Sequence, residues 1–295
     1  MSLPKCMGWM SLTESPRVRP GLGASQGDDM QMNRRGLAGL SLGAVAIAAP
    51  GLARADAPAP TELEQIVKAK KVRVGAVEAA PWYMRDLATD KWTGVVPEQA
   101  ELLFGSIGVG VEYIPTEWGT AVAGLQANKF DLMGAFVANP QRALAVDFTA
   151  STYDGRNGLV VLNGGVADGV AWSALNKPET KVAGVDGAGS TVAIQRLIPK
   201  ATWTMVHSND AMMLELDSGR ADMIASNEPT LRTYVDNRKR GTMVMPEPLI
   251  RTGANFAMRK SADTQFLRWM DTALEYFRAS GVLQTIGDRY ILGKS

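Results

Sequence analysis

The sequence predicts an α/β protein built from two similar lobes. Two observations carry this. From about residue 61 onward, helix-like and strand-like stretches alternate to the end, the pattern of α/β architecture with mostly parallel strand pairing. A second observation is an internal echo. Leu125-Gln126-Ala127-Asn128-Lys129-Phe130-Asp131-Leu132-Met133 matches Leu216-Asp217-Ser218-Gly219-Arg220-Ala221-Asp222-Met223-Ile224 in kind. Each copy joins an amphipathic helix to a tight turn, an Asp and a buried strand. Asn-Lys in one copy and Gly-Arg in the other suit a helix C-terminus. Any αβ unit shares some of these features, but the match runs through the whole segment in order. No 20–50-residue array of the solenoid kind is present.

Composition bounds the function classes. The chain has 295 residues, 46% of them hydrophobic, with 31 basic and 30 acidic side chains. A formal net charge of +1 gives no basic excess of the kind nucleic-acid binders carry, so no nucleic-acid partner is expected. His207 and Cys6 are the only residues of their types. An internal disulfide is excluded, and a His/Cys zinc site nearly so; no metal or cofactor is expected.

Residues 1–57 read as leader and signal peptide, removed from the mature protein. Asn33-Arg34-Arg35-Gly36-Leu37 opens an apolar run from Leu37 to Ala49, closed by Pro50 and the small residues Ala53, Ala55 and Ala57. A basic start, a short apolar core and small residues at a cut site make an export signal. The run is too short and too rich in Gly and Ala for a membrane span. The arginine pair fits the twin-arginine route, and an ordinary Sec signal fits as well. Residues 1–31 resemble no export signal, and Met30 or Met32 is an alternative start. No Cys follows the apolar core, which excludes a lipid anchor there. Cleavage after Ala55 or Ala57 removes Cys6, leaving a chain suited to an oxidising compartment.

The mature elements follow in order. Ala57-Pro58-Ala59-Pro60 is a short tether. Thr61 caps a helix to about Lys70, with Leu63, Ile66 and Val67 on one face. Val72 to Val77 is a strand, Trp92 to Val95 a turn and strand, Gln99 to Ile107 a helix, and Val109 to Ile114 a strand. Leu132–Phe136 and Lys181–Val185 are strands, with a helix from near Val192. Trp269, Tyr276 and Phe277 on the C-terminal helix fit core packing.

Three places could carry binding chemistry. After the first repeat's strand come Val137-Ala138, then Asn139-Pro140-Gln141-Arg142. Asn is a good N-cap and Pro suits the first helical position. Arg142 then sits in a first turn, where the helix dipole disfavours a cation. Free backbone N–H groups and a guanidinium together would grip a carboxylate. The alternative is a solvated Arg paired to Asp147. The second place is Asp186-Gly187-Ala188-Gly189-Ser190-Thr191, between a strand and a helix. Its glycines admit close backbone approach and its hydroxyls lie at a helix start. No Lys follows the last glycine, so it is no Walker loop, and a plain βα turn explains it equally. The third is Ser226-Asn227-Glu228-Pro229, at the end of the second repeat's strand, where open α/β sheets bind ligands. Asn227 could simply cap the next helix. Trp82, Tyr83 and Trp118 are loop aromatics able to pack on an apolar ligand group. No catalytic set is found: there is no Gly-x-Ser-x-Gly elbow, no Cys in the exported chain, and His207 lacks a motif.

Together these stretches resemble the bacterial periplasmic solute-binding proteins, family 3, the amino-acid-binding branch. The resemblance covers roughly Lys71 to Leu292. It rests on Val72-Arg73-Val74-Gly75 with Pro81-Trp82, Gly94, Trp118 with Leu125 to Asp131, and Asn139-Pro140-Gln141-Arg142 with Val146-Asp147-Phe148-Thr149. Tyr153, Gly219-Arg220-Ala221-Asp222 and Ser280-Gly281-Val282-Leu283 with Ile286 and Tyr290 complete it. The resemblance implies a type II periplasmic-binding-protein-like fold of two α/β lobes joined by two crossovers. Lobe one would hold 61–156 and 252–295, and lobe two 157–251. Solute would bind between them, and closure would present it to the membrane permease of an ABC transporter. The family arginine matching Arg142 clamps the ligand carboxylate, and an aromatic matching Trp118 packs on the ligand. Groups matching Gly189, Ser190 and Thr191 face it. Three departures stand out. The family's acidic clamp for the ligand amino group falls at Asn227, beside Glu228. A threonine common before the Arg segment is replaced around Val137-Ala138. A cleft aromatic before the Pro-aromatic pair is replaced by Ala79-Ala80. A carboxylate is therefore better supported than an ordinary α-amino group.

The expectation is a periplasmic, monomeric, non-catalytic binding protein for an amino acid or related small carboxylate. A cyclohexadienyl or arogenate dehydratase-like enzyme on the same fold is the alternative. Its catalytic glutamate would lie a few residues beyond the clamp position, where this chain has Pro229-Thr230-Leu231 and Glu228 comes too early. A sensory input domain is a third reading, set aside on the expectation that no membrane helix follows Ser295.

Overall fold

The computed structural model of the protein describes residues 59–162, 164–261 and 263–293. The leader, its apolar run and the cut sites expected after Ala55 or Ala57 lie outside the described residues. Among the described residues no helix is long and apolar enough to cross a membrane.

Thr61 opens α1 (Glu62–Ala69) with a reciprocal cap. Its hydroxyl accepts from Glu64 N at 3.2 Å, and the Glu64 carboxylate accepts from Thr61 N at 2.8 Å. There follow β1 (Lys71–Ala76), a hairpin of β2 (Met84–Asp86) and β3 (Lys91–Thr93), α2 (Val95–Gly105), β4 (Gly110–Pro115), α3 (Ala121–Gln126) and β5 (Leu132–Phe136). Next come α4 (Pro140–Ala143), β6 (Val146–Phe148), β7 (Tyr153–Val161), α5 (Trp172–Leu175), β8 (Lys181–Val185), α6 (Gly189–Gln195) and β9 (Thr202–Val206). The chain closes with α7 (Asn209–Asp217), β10 (Met223–Asn227), α8 (Glu228–Arg238), β11 (Thr242–Val244), β12 (Ile250–Arg259), α9 (Gln265–Ala279) and α10 (Val282–Leu292). The expected helix at Gln99 begins earlier, at Val95, because Gly94 supplies the turn that starts it; the helix expected near Val192 begins at Gly189.

The main sheet runs β4-β1-β5-β12-β7-β10-β8-β9, with β6 on β12 and β11 on β7. Its two halves meet at two long strands. The first part of β12, Ile250 to Ala254, pairs with Asn157 to Tyr153 of β7. The remainder of β12 pairs with β5 and β6, and the remainder of β7 with β10 and β11. Pairing is parallel in the outer part of each half and antiparallel around β7 and β12. That departs from the mostly parallel sheet expected. The strands around the centre do not each return through a crossover helix, so their direction alternates.

The two copies of the repeat have the same role. In each, the turn residue is left-handed, Asn128 at φ 55° and Gly219 at φ 73°. Each Asp then brackets the first residues of a parallel neighbour strand. Asp131 N donates to Arg73 O at 2.8 Å while its carboxylate accepts from Arg73 N at 2.8 Å. Asp222 N donates to Lys181 O at 2.9 Å while its carboxylate accepts from Lys181 N at 3.2 Å. The Asp therefore sets strand register, which explains why it recurs at that spacing.

Phe104, Phe130, Phe136, Leu103 and Leu125 are fully buried, and a smaller cluster around Val182, Ile194 and Trp172 fills the far side of the second half. Trp269 packs on Phe104 at 5.2 Å and Phe277 is partly buried, as expected. Tyr276 is not core: it is 69% exposed, on the outer face of α9.

Candidate functional site

The cleft between the two halves of the sheet is lined from both sides and from the two crossover strands. Trp82, Trp118, Phe136 and Val137 come from the first half, Ala188, Gly189, Ser190, Ser226, Asn227 and Thr230 from the second, and Tyr153, Gly155, Thr252 and Gly253 from β7 and β12. The space between these walls is about 40 Å³, and it opens to solvent. Two bonds cross it, from Trp82 to Asn227 and from Arg142 to Gly187, so the two halves touch here.

Local structure explains how each wall is placed. The loop after β1 is held by the start of α2, where Val95 N and Val96 N each donate at 3.1 Å, to Pro81 O and Trp82 O. Gly94 makes this possible. It sits at φ 118°, and a Cβ there would lie 2.8 Å from both carbonyls. Trp82 so fixed meets Tyr153 edge-on at 5.6 Å and donates its indole N–H to Asn227 Oδ1 at 3.3 Å, across the cleft.

β5 carries a bulge opposite β12, where the register shifts between Asn255 and Ala257. Ala135 takes φ 50° there, a left-handed conformation rarely adopted by a residue with a Cβ. The bulge re-aims the end of the strand, so that Phe136 stacks on Trp118 at 6.2 Å and 11°. The Arg142 guanidinium lies 3.9 Å over the Phe136 ring.

Arg142 packs against the cleft wall at Phe136 and Val137. Its guanidinium donates to Val137 O at 2.9 Å on one side and to Gly187 O on the other, bridging the two halves. Burial pulls its pKa down to about 10, and no acid offsets that. It remains a cation at neutral pH. Asp147, the partner of the surface reading, is elsewhere: its carboxylate accepts from Ser261 N at 3.4 Å. Asn139 caps α4 as expected, accepting from Arg142 N at 2.8 Å. The dipole argument for Arg142 does not survive, because α4 is a single turn of four residues. Its first turn is also its last, and the field of so short a helix is small.

The Gly187-to-Gly189 turn comes very close to the first half. A Cβ on Gly187 would lie 2.4 Å from Gly119 Cα, and one on Gly189 would lie 2.2 Å from Val137 Cβ. Gly187 also sits at φ 69°.

Of the residues singled out in the sequence, Trp82, Trp118, Val137, Gly189, Ser190 and Asn227 line the cleft. Arg142 is not among the lining residues; it contacts Phe136 and Val137, which are. Three are placed otherwise. Tyr83 turns into the core, where its hydroxyl accepts from Gly134 N at 2.9 Å and donates to Gly134 O at 3.2 Å; burial raises its pKa. Its neighbour Trp82 takes the cleft-facing side. Thr191 is buried against Gly184 of β8, so it supports the turn from below. Glu228 is gripped by Arg156 at 2.8 and 2.7 Å and by Arg232 at 3.0 Å. Arg156 chiefly holds its carboxyl below the ordinary range, against the upward push of burial. It is committed to those arginines and does not line the cleft. Asn227 combines both readings, capping α8 through Thr230 N at 3.1 Å while lining the cleft.

Phe136, Tyr153, Thr230 and Thr252 also line the cleft and were not picked out for it. Tyr153 and Thr252 lie on the crossover strands, about a hundred residues apart in sequence, and only strand pairing unites them.

Comparison with known proteins locates this architecture. The model of the bacterial extracellular solute-binding proteins, family 3, matches residues 72–293. An ancestral amino acid-binding protein, AncCDT-1, described as a precursor of cyclohexadienyl dehydratase, is 27% identical with a TM-score of 0.70. It covers 78% of this chain and the whole of its own. A mutant of ArgBP from T. maritima is 18% identical, TM-score 0.69, covering 79% of this chain and 99% of that one. An amino acid ABC transporter substrate-binding protein from Streptococcus pneumoniae, bound to L-arginine, is 21% identical, TM-score 0.68, covering 76% and 95%. No curated protein sequence matches. The fold is the type II periplasmic-binding-protein fold, mixed α/β with two crossovers.

Proposed function

From the premise that the chain belongs to the bacterial extracellular solute-binding proteins, family 3, we propose that it captures an amino acid or related small carboxylate by lobe closure. It then hands that solute to the permease of an ABC transporter. Lobe one comprises 61–156 and 252–295, lobe two 157–251, and the protein works in the periplasm after removal of its leader.

The observation that carries this reading is the Arg142 guanidinium. It packs against the wall residues Phe136 and Val137, partly desolvated, with backbone carbonyls of both halves as its partners and no carboxylate. Carbonyl oxygens are weak partners for a desolvated cation, and a ligand carboxylate offers the two parallel bonds a guanidinium favours. The apolar walls at Trp82, Trp118 and Phe136 suit the rest of a small organic acid. A dehydratase would need an acid among the reacting groups. Among the described residues no Asp or Glu lines the cleft, while Glu228, next to Asn227, is held by two arginines. That favours capture over turnover.

A thermal-shift screen of amino acids and organic acids tests the reading. Ligand at a hundred times its dissociation constant adds about 2.7 kcal/mol. Arg142→Ala, confirmed folded by its own melting, should weaken the hit roughly a hundredfold, for a loss of about 3 kcal/mol. Arg142→Lys should recover only part, lacking the planar fork. Undiminished affinity in Arg142→Ala would refute the carboxylate clamp.

A further inference from the structure

The cleft has a cation packed against its wall, at Phe136 and Val137, and no Asp or Glu among its described lining residues. Glu228 is engaged by two arginines through both oxygens. Asn227 Oδ1 already accepts from Trp82 and Thr230. What remains is neutral: the buried Ser190 and Ser226 hydroxyls and the Asn209 amide line the cleft, and none has a side-chain hydrogen bond in the protein among the described residues. An ammonium enclosed here would lose its water and meet no acidic side chain among the described lining residues, which is unfavourable. A ligand hydroxyl or carbonyl would meet groups that can both donate and accept.

We propose that the cleft selects a small monocarboxylate whose second carbon bears oxygen, a 2-hydroxy or 2-oxo acid, over the corresponding 2-amino acid. This rests on the reading of Arg142 as carboxylate clamp and adds the selection against ammonium. The net charge of the site agrees: one guanidinium matches one carboxylate, and a zwitterion leaves its cation unanswered.

The test is titration calorimetry with matched trios that differ at one position: alanine, lactate and pyruvate; leucine with its 2-hydroxy and 2-oxo analogues; phenylalanine, phenyllactate and phenylpyruvate; glutamate, 2-hydroxyglutarate and 2-oxoglutarate. In the best-binding skeleton, an oxygen analogue should bind at least tenfold tighter than the amino acid. Asn227→Asp should reverse that preference, since Asp caps a helix as well as Asn and brings a carboxylate to the cleft wall. Amino acids binding as tightly as their analogues in the wild type would overturn the inference and leave the carboxylate clamp standing. A preference unmoved in folded Asn227→Asp would overturn the charge argument. Inorganic phosphate or sulfate alone binding, or no member of the panel binding folded protein, would overturn the inference together with the carboxylate reading.

Discussion

Glu228 illustrates how a residue's neighbours decide its use. Its position beside Asn227 invites a ligand role, yet Arg156 from β7 and Arg232 one turn along α8 take both oxygens. The carboxyl pKa is lowered from its ordinary 4.5, chiefly by the Arg156 bond. A depressed folded pKa means the pair contributes stability that is present above 4.5 and lost as pH falls through the folded value. Glu228→Gln should therefore lower the melting temperature at pH 7 by about 2–4 °C, for roughly 1 kcal/mol in a partly screened pair. The gap should close as pH falls below 4.5, which melting curves from pH 7 to 3 would record. A constant gap would contradict the assignment. Much of the residue-scale site was legible. Asn139 and Asn227 announce themselves as caps before helices, whereas the signal that singled out Arg142, a cation at a helix start, does not hold in a four-residue helix. Tyr83 and Thr191 were not legible, because adjacent residues in a loop or first turn point in opposite directions, and sequence does not say which faces the cleft.

Among the elements, the turn between β8 and α6 does more than connect. Gly187 is required twice: by its positive φ, and by the Gly119 backbone 2.4 Å from where its Cβ would stand. Gly219, at φ 73°, has the same backbone need but open space around it. Gly187→Ala and Gly219→Ala should each lose about 1 kcal/mol by urea denaturation. Only Gly187→Ala should also lose ligand affinity, at least tenfold, because the halves can no longer meet. Equal affinity in the two variants would show that this contact does not matter for closure. The sequence marks 186–191 as a strand-to-helix turn, and β8 falls where predicted. It cannot mark Gly119 as the partner, because that depends on how two halves meet. The bulge at Ala135, which sets the angle of Phe136, left no signal either, since the residue there is not the glycine that such backbone favours.

At the scale of the molecule, the α/β class and the internal repeat were both legible, the repeat through an Asp that performs the same strand-bracketing task twice. The antiparallel centre was not, because β7 and β12 are long strands whose two ends serve different halves. Those strands are the only sheet link between the halves among the described strands, and a rotation about them would open the cleft without breaking either half. The bonds across the cleft, from Trp82 to Asn227 and from Arg142 to Gly187, would break in such a rotation. Small-angle X-ray scattering of the protein with and without the acid that gives the largest thermal shift tests this most directly. The account predicts a smaller radius of gyration at saturation, while an unchanged profile with a ligand shown by calorimetry to be bound would contradict it.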